Sequence, residues 1–377
     1  MLQKVGERSA YQVRRQITSF KPRRIAIFRA LQLGDLLCTV PALRALRAAC
    51  PHSEITLIGL PWARGFVERF SFYLDHFIEF PGCPGLPEQA WSPLDLARFI
   101  NSVRKKKFDV ILQMHGSGPI VNRLVNLCGG LIAAGYFLPG HYRPNAEWFM
   151  PFPANEPEIR QHLALMDFLG IATHDEELEF PLFDRDREEL NELRRSAGLQ
   201  PGNYICVHPG AQLSSRRWLP QRFATVADAL AKRGWQIVLT GTAAEKYLTQ
   251  EVLHHMQAPA INLAGQTSLG GVAALISQAQ LLVANDTGVS HIAAALKVPS
   301  VIVACGSDVA RWAPLNSDLH RVLWHAVTCR PCSYRRCPIG HPCASGVSAA
   351  AVQHASLQIT AKNRLSANAA ERDLCDV

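Results

Sequence analysis

Residues 281–291 read LLVANDTGVSH: an unbroken apolar run, a polar turn reaching Gly288, and the start of a helical segment that continues through residues 292–296. An apolar run of strand length with no polar alternation suits a strand buried on both faces, as in a parallel sheet. The same unit recurs around it. Tyr204–His208 (YICVH), 236–240 (QIVLT) and 300–304 (SVIVA) are each followed by a loop and helical spacing. The first half repeats the alternation with Arg24–Phe28 (RIAIF), 54–60 (EITLIGL) and 108–114 (FDVILQM). Residues 35–49 read as one helix, with Leu36, Val40 and Leu43 on its apolar face and Pro51 ending it. Strands alternating with crossover helices define an α/β chain of two doubly wound parallel sheets. In such sheets ligands bind beyond the carboxyl ends of the strands.

A chain of 377 residues is long for one hydrophobic core, which also implies two domains. The charged, turn-rich stretch 175–202, closing in Gly-Leu-Gln-Pro-Gly, marks the boundary. The expected divisions are a basic leader (1–24), a first domain (25–180), a linker (181–202), a second domain (203–357) and a polar tail (358–377). Hydrophobic residues at 48% and charged residues at 19% exclude a disordered chain. The longest apolar runs fall far short of the roughly 20 residues a membrane span needs. The first residues lack the apolar core of a secretory signal, so the expected location is the cytoplasm. The net charge of +8 is concentrated early, with Lys4, Arg14, Arg15, Lys21, Arg23 and Arg24 set against Glu7. Such a leader is either simply solvated or a peripheral contact with the anionic inner membrane. Nucleic acid is not an expected partner, because no recognition motif accompanies the charge.

Three loops lie where ligands bind in such sheets. In the first, Asp35 follows Gly34 at a helix start, where a carboxylate is either a general base facing the cleft or a helix cap. In the second, Asp286, Thr287 and Gly288 open a helix whose N–H groups face a diphosphate or simply form a turn, with His291 one turn on. In the third, His208-Pro209-Gly210 leads to Ser214, Ser215, Arg216, Arg217 and Trp218, hydroxyls and guanidiniums suited to phosphate oxygens or to a plain surface loop. Glu245, after the next strand, is a weaker candidate for ribose hydroxyls. A Gly-x-Gly-x-x-Gly turn, a Walker lysine loop and a Gly-x-Ser-x-Gly elbow are all missing, which argues against dehydrogenase, P-loop and hydrolase chemistry.

Four stretches together resemble glycosyltransferase family 9, the lipopolysaccharide heptosyltransferases: RRIAIFRALQLGDLLCTVPALRALRAACP, HPGAQLSSRRWLPQRFATVADAL, INLAGQTSLGGVAALISQAQLLVANDTGVSHIAAALKVPSVIV and CRPCSYRRCPIGHPC. The likeness runs from about residue 23 to about residue 345. It implies a GT-B fold, with an acceptor-binding first domain and a second domain that holds a nucleotide sugar, ADP-heptose, as donor. It also implies inverting transfer to a lipid-linked lipopolysaccharide core acceptor, without a metal or other cofactor. Asp35 matches the family's base. Asp286, Thr287, Gly288 and His291 match its donor turn, and Glu245 its ribose-side acid. Ser214 and Ser215 fall where small hydroxyl residues are common. Arg216 replaces a lysine, keeping the charge but not the compact ammonium. The alternatives are a GT-B transferase or epimerase using another nucleotide sugar, or a catalytically silent binding module.

Eleven cysteines without a secretory signal point to thiols or metal ligands rather than disulfides. Cys329, Cys332, Cys337 and Cys343 have short loop spacings that admit a four-thiolate zinc site, although reduced thiols in a tight loop are the more economical reading. Arg330, Arg335 and Arg336 in the same loop are alternatively placed to face an anionic acceptor.

Overall fold

The computed structural model describes residues 16–375, with side chains described as far as residue 362. The chain divides into two compact units. Unit 1 comprises the chain to Gln32, Thr39–Ala154 and Ile159–Glu176; unit 2 comprises Leu33–Cys38, Asn155–Glu158 and the chain from Glu177.

Unit 1 is built on β1 (Arg24–Phe28), β2 (Glu54–Gly59), β3 (His76–Glu79), β4 (Val110–Gln113), β5 (Ile132–Phe137) and β6 (Phe149–Pro151). They form one parallel sheet in the order β3-β2-β1-β4-β5-β6. Unit 2 repeats the plan with β7 (Tyr204–His208), β8 (Gln236–Leu239), β9 (Ile261–Asn262), β10 (Leu281–Asn285), β11 (Ser300–Val303) and β12 (His320–Leu323), ordered β12-β11-β10-β7-β8-β9. Both sheets are doubly wound, with the strand order reversing between β1 and β4 in one and between β7 and β10 in the other. The fold class expected from the alternating apolar runs is the one found.

The runs are apolar throughout because the central strands are covered on both faces. Every residue of β7 and of β10 is buried. Their side chains join Trp218, Phe223 and Trp235 in one core cluster of unit 2, where each buried aliphatic side chain contributes roughly 1.5–3 kcal/mol.

Some elements differ from expectation. The helix expected over 35–49 is two helices, Leu33–Leu37 and Val40–Ala49. Pro41, in the first turn of the second, has no N–H to give and would clash with the carbonyl four residues back, so it opens a helix instead of continuing one. Leu33–Cys38, expected with the first domain by chain position, belongs to unit 2. The expected linker contains a 14-residue helix, Asp184–Ala197, which buries Leu190 and Leu193 and ends at Gly198 with φ 64°. The last helix spans Ala349–Cys375 and carries Val352, Ala355 and Ile359 into the core of unit 2, so the expected tail from residue 358 continues a helix. Residues 1–15 of the expected leader, and 376 and 377 of the tail, lie outside the described residues.

Candidate functional site

The carboxyl ends of β7 and β10, the two strands at the switch point of unit 2, lead into the loops singled out by sequence. Asn285, the fully buried last residue of β10, ties those loops together. Its Oδ1 accepts from the Trp218 N–H at 2.8 Å, and its Nδ2 donates to the carbonyls of Pro209 (2.8 Å) and Gly210 (3.3 Å). Asp286 follows, its N–H donating to the Val303 carbonyl at 3.2 Å. Thr287 then caps the helix Gly288–Ala295 with an extended backbone (φ −157°), its hydroxyl making no cap bond. The helix start thus presents backbone N–H groups at the positive end of its dipole.

Asp35 lies in the first turn of Leu33–Leu37, which packs against the donor-turn helix within the same unit. Gly34 sits inside the Leu33–Leu37 helix, and what matters is its missing side chain: a Cβ there would lie 2.7 Å from Cδ2 of His291. The His291 ring is itself boxed in. Cys38 Sγ stands 3.6 Å from its Nδ1, Trp312 meets it edge-on at 6.4 Å between ring centres, and only 5% of the residue is exposed. Burial lowers its pKa below the usual imidazole value, against the opposing pull of Asp286, Asp35 and Glu158, so the ring is neutral near pH 7.

Ser214, Ser215 and Arg216 form a 3-10 turn held by the cysteine-rich loop. The Ser214 hydroxyl donates to the Arg335 carbonyl at 2.9 Å and that of Ser215 to the Tyr334 carbonyl, while Arg216 donates through one terminal nitrogen to the Cys332 carbonyl at 2.9 Å. Arg216 Nε is buried without a hydrogen-bond partner among the described residues. Arg217 turns away to the Ala211 carbonyl and the Tyr247 hydroxyl. Glu245 accepts from the Thr242 N–H and hydroxyl, both at 2.9 Å, closing a capping box. A Cβ at Gly210 would run into its carboxylate, so the Pro-Gly turn and Glu245 lie against each other.

Cys343 is buried and Cys329, Cys332 and Cys337 are half-buried, each acting electrostatically on Cys343. Among the described residues no group of three or more His, Cys, Asp or Glu side chains is arranged to hold a metal ion. Arg330 donates to the carbonyls of Ser307 and Ala304.

Two residues here drew no expectation from the sequence. Glu158, 2% exposed, accepts from Arg311 Nε at 2.6 Å, and both belong to unit 2. Burial weakens the Arg311 charge, but Glu158, Asp35 and Asp308 outweigh it and raise its pKa. Each residue reads in sequence as an ordinary charge at a helix end, and only the fold reveals the pair.

Among solved structures, the glycosyltransferase family 9 protein from Veillonella parvula has a TM-score of 0.74 at 22% identity, covering 90% of this chain and 98% of that one. The E. coli ADP-heptose lps heptosyltransferase II has a TM-score of 0.67 at 20% identity, covering 90% and 99%. The two doubly wound units therefore have the GT-B fold of glycosyltransferases. Residues 96–342 match the model of glycosyltransferase family 9 (heptosyltransferase). The lipopolysaccharide heptosyltransferase 2 of Escherichia coli (strain K12) is 38% identical over 309 residues, 77% of this chain and 85% of that protein. The chain belongs to glycosyltransferase family 9, and it is a glycosyltransferase.

Proposed function

We propose that this enzyme transfers a heptose from ADP-heptose to a lipopolysaccharide core acceptor, with inversion at the anomeric carbon and without a metal ion. The observation that carries the reading is the close approach of Gly34 to His291, with Asp35 next in the chain and acting electrostatically on that ring. In this scheme the donor occupies unit 2 and the acceptor is offered by unit 1. The N–H groups at Thr287 and Gly288, with Arg216, stabilise negative charge on the departing diphosphate. The partnerless Nε–H of Arg216 supports that role. Ser214 and Ser215 hold the cationic turn in place, and Glu245 serves the ribose. His291, neutral and buried, neither repels a cation nor pairs with an anion; it orders the turn and fixes where Asp35 stands. Asp35 takes the acceptor proton as the acceptor oxygen bonds to the anomeric carbon and the bond to ADP breaks. The match to the E. coli lipopolysaccharide heptosyltransferase 2 supports the acceptor class, and the ADP-heptose in the name of the E. coli structure supports the donor. Among the described residues no helix is long and apolar enough to cross a membrane, so work at the cytoplasmic face of the inner membrane calls for peripheral contact.

Thermal unfolding of the purified protein with ADP-, UDP- and GDP-sugars, ADP-heptose included, tests the donor. A bound donor at 100 times its Kd adds about 2.7 kcal/mol, a readily measured shift. Selective stabilisation by ADP-heptose is the expected result; stabilisation by another nucleotide sugar alone removes the heptose assignment. Asp35→Ala is expected to keep that stabilisation and lose roughly 10²–10⁴-fold in transfer rate. A variant that transfers heptose at the native rate excludes Asp35 as the base.

A further inference from the structure

His208 closes β7, and its ring is held from the neighbouring strand: Nδ1 lies 3.0 Å from the hydroxyl oxygen of Thr240, the residue after β8. Register builds this pair, since Val207 stands opposite Leu239 and the next residue on each strand is His208 and Thr240. Both are buried, Thr240 completely. The carboxylate of Glu245 reaches the same place from the turn after β8. Gly210, two residues beyond His208, is glycine for room rather than for a left-handed backbone, because a Cβ there would run into the Glu245 carboxyl group. A Cβ on Gly241, next to Thr240, would stand 3.4 Å from that of Glu245. Glu245 thus lies against the residues that follow both His208 and Thr240. Its Oε2 accepts from the Thr242 N–H and hydroxyl, and among the described residues its Oε1 makes no hydrogen bond. The same is true of His208 Nε2, across the ring from Thr240.

An imidazole buried at a strand end costs stability that an aliphatic side chain would not. Burial holds its pKa below the ordinary value, against the pull of Glu245, so the ring is neutral near pH 7 and offers one N–H and one lone pair. A neutral ring does nothing to offset phosphate charge. A hydroxyl group suits both neighbours, since it donates to a carboxylate oxygen and either donates to or accepts from an imidazole. We propose that His208 Nε2 and Glu245 Oε1 together grip the vicinal diol of the donor's ribose, with Thr240 fixing the orientation of the ring. This rests on unit 2 holding a nucleotide sugar, and it adds His208 to the residues that bind it.

The test is equilibrium binding of ADP, 2′-deoxyADP and 3′-deoxyADP to the wild type and to His208→Asn. The asparagine amide stands near the place of Nδ1, so this variant keeps a partner for Thr240 and loses Nε2. The wild type is expected to bind each deoxy analogue roughly 3–10-fold more weakly than ADP. His208→Asn is expected to bind ADP more weakly by a similar factor, and in it the penalty for one of the two analogues vanishes, because ligand oxygen and protein nitrogen are partners in one bond. A ring with only a structural role predicts a less stable variant that keeps the wild-type ratios, and that result overturns the inference while the donor reading stands. So does a wild type that binds both analogues as tightly as ADP, a comparison that needs no substitution. A wild type without affinity for ADP or ADP-heptose overturns the nucleotide reading, and this inference with it.

Discussion

Adding one methyl group at Gly34 sets two opposing effects against each other. Gly34 lies inside the helix Leu33–Leu37, where alanine is the better residue by roughly 0.5–1 kcal/mol. The new Cβ would stand 2.7 Å from Cδ2 and 3.1 Å from Nε2 of His291, and the ring has Cys38 and Trp312 on its other sides. Overpacking of this kind costs about 1–3 kcal/mol. The clash therefore outweighs the helical gain, and Gly34→Ala is expected to lose on the order of 1 kcal/mol, lowering Tm by a few degrees. The larger effect is on chemistry. The steric conflict is relieved by moving Leu33–Leu37 away from the donor turn, and Asp35 moves with it. A displacement of about 1 Å at a reacting group costs on the order of 10²-fold in rate. The assay is the initial rate of transfer from ADP-heptose beside thermal unfolding with and without that donor: rate falls, donor stabilisation remains. A Gly34→Ala protein that is more stable than wild type and equally fast would show that helix propensity, not the His291 contact, governs this position.

Asn285→Ala removes three bonds at once and leaves the Trp218 N–H and the Pro209 carbonyl buried and unpaired, so urea unfolding is expected to show a loss of about 2–4 kcal/mol, while a loss under 0.5 kcal/mol would mean water replaces the amide. Burial lowers the pKa of His208, His291 and His320, the last to about 4, with a further lowering of His320 by His291. Folded rings that resist protonation bind fewer protons than the unfolded chain, so this stability is complete above the unfolded value of about 6.5 and drains as pH falls toward 4. His320 alone accounts for on the order of 2 kcal/mol between pH 6.5 and pH 5. Urea midpoints at pH 7 and pH 5 should therefore differ less in His320→Gln than in the wild type, and equal differences would place the acid sensitivity elsewhere.

The central strands were legible because burial on both faces writes itself as an unbroken apolar run: β1, β2, β4, β7, β8, β10 and β11 all coincide with runs read from sequence. Strands β3 (HFIE), β5 (IAAGYF), β6 (FMP), β9 (IN) and β12 (HRVL) were not. They lie at or next to sheet edges, are two to six residues long, and carry half-buried or exposed positions, so neither period nor length separates them from loop. Of the candidate site, the loops after β7 and β10 drew attention because in each a Gly-containing turn follows a buried strand. The Arg311–Glu158 pair could not, since 153 positions separate its members and neither stands in a local pattern. The break at Pro41 was legible in principle, because the proline alone forbids the continuous helix drawn across it.

The cysteine-rich loop holds the Ser214–Arg216 turn through its backbone: the carbonyls of Cys332, Tyr334 and Arg335 accept from Arg216, Ser215 and Ser214 in turn, and His341 Nε2 reaches the Ser215 carbonyl at 3.0 Å. Gly306, at φ 70°, lets the loop press in, since a Cβ there would lie 2.8 Å from that of Cys332. On the proposed function the Arg216 guanidinium stabilises a leaving diphosphate, and ordering such a side chain costs rotamer entropy, roughly 2 kcal/mol for a free arginine. Anchoring one terminal nitrogen of Arg216 to the Cys332 carbonyl meets part of that cost before any ligand arrives, with Nε left without a partner among the described residues. On the proposed function the loop thereby preorganises a cation that arginine's length would otherwise leave mobile, so that arginine takes the place of a more compact ammonium.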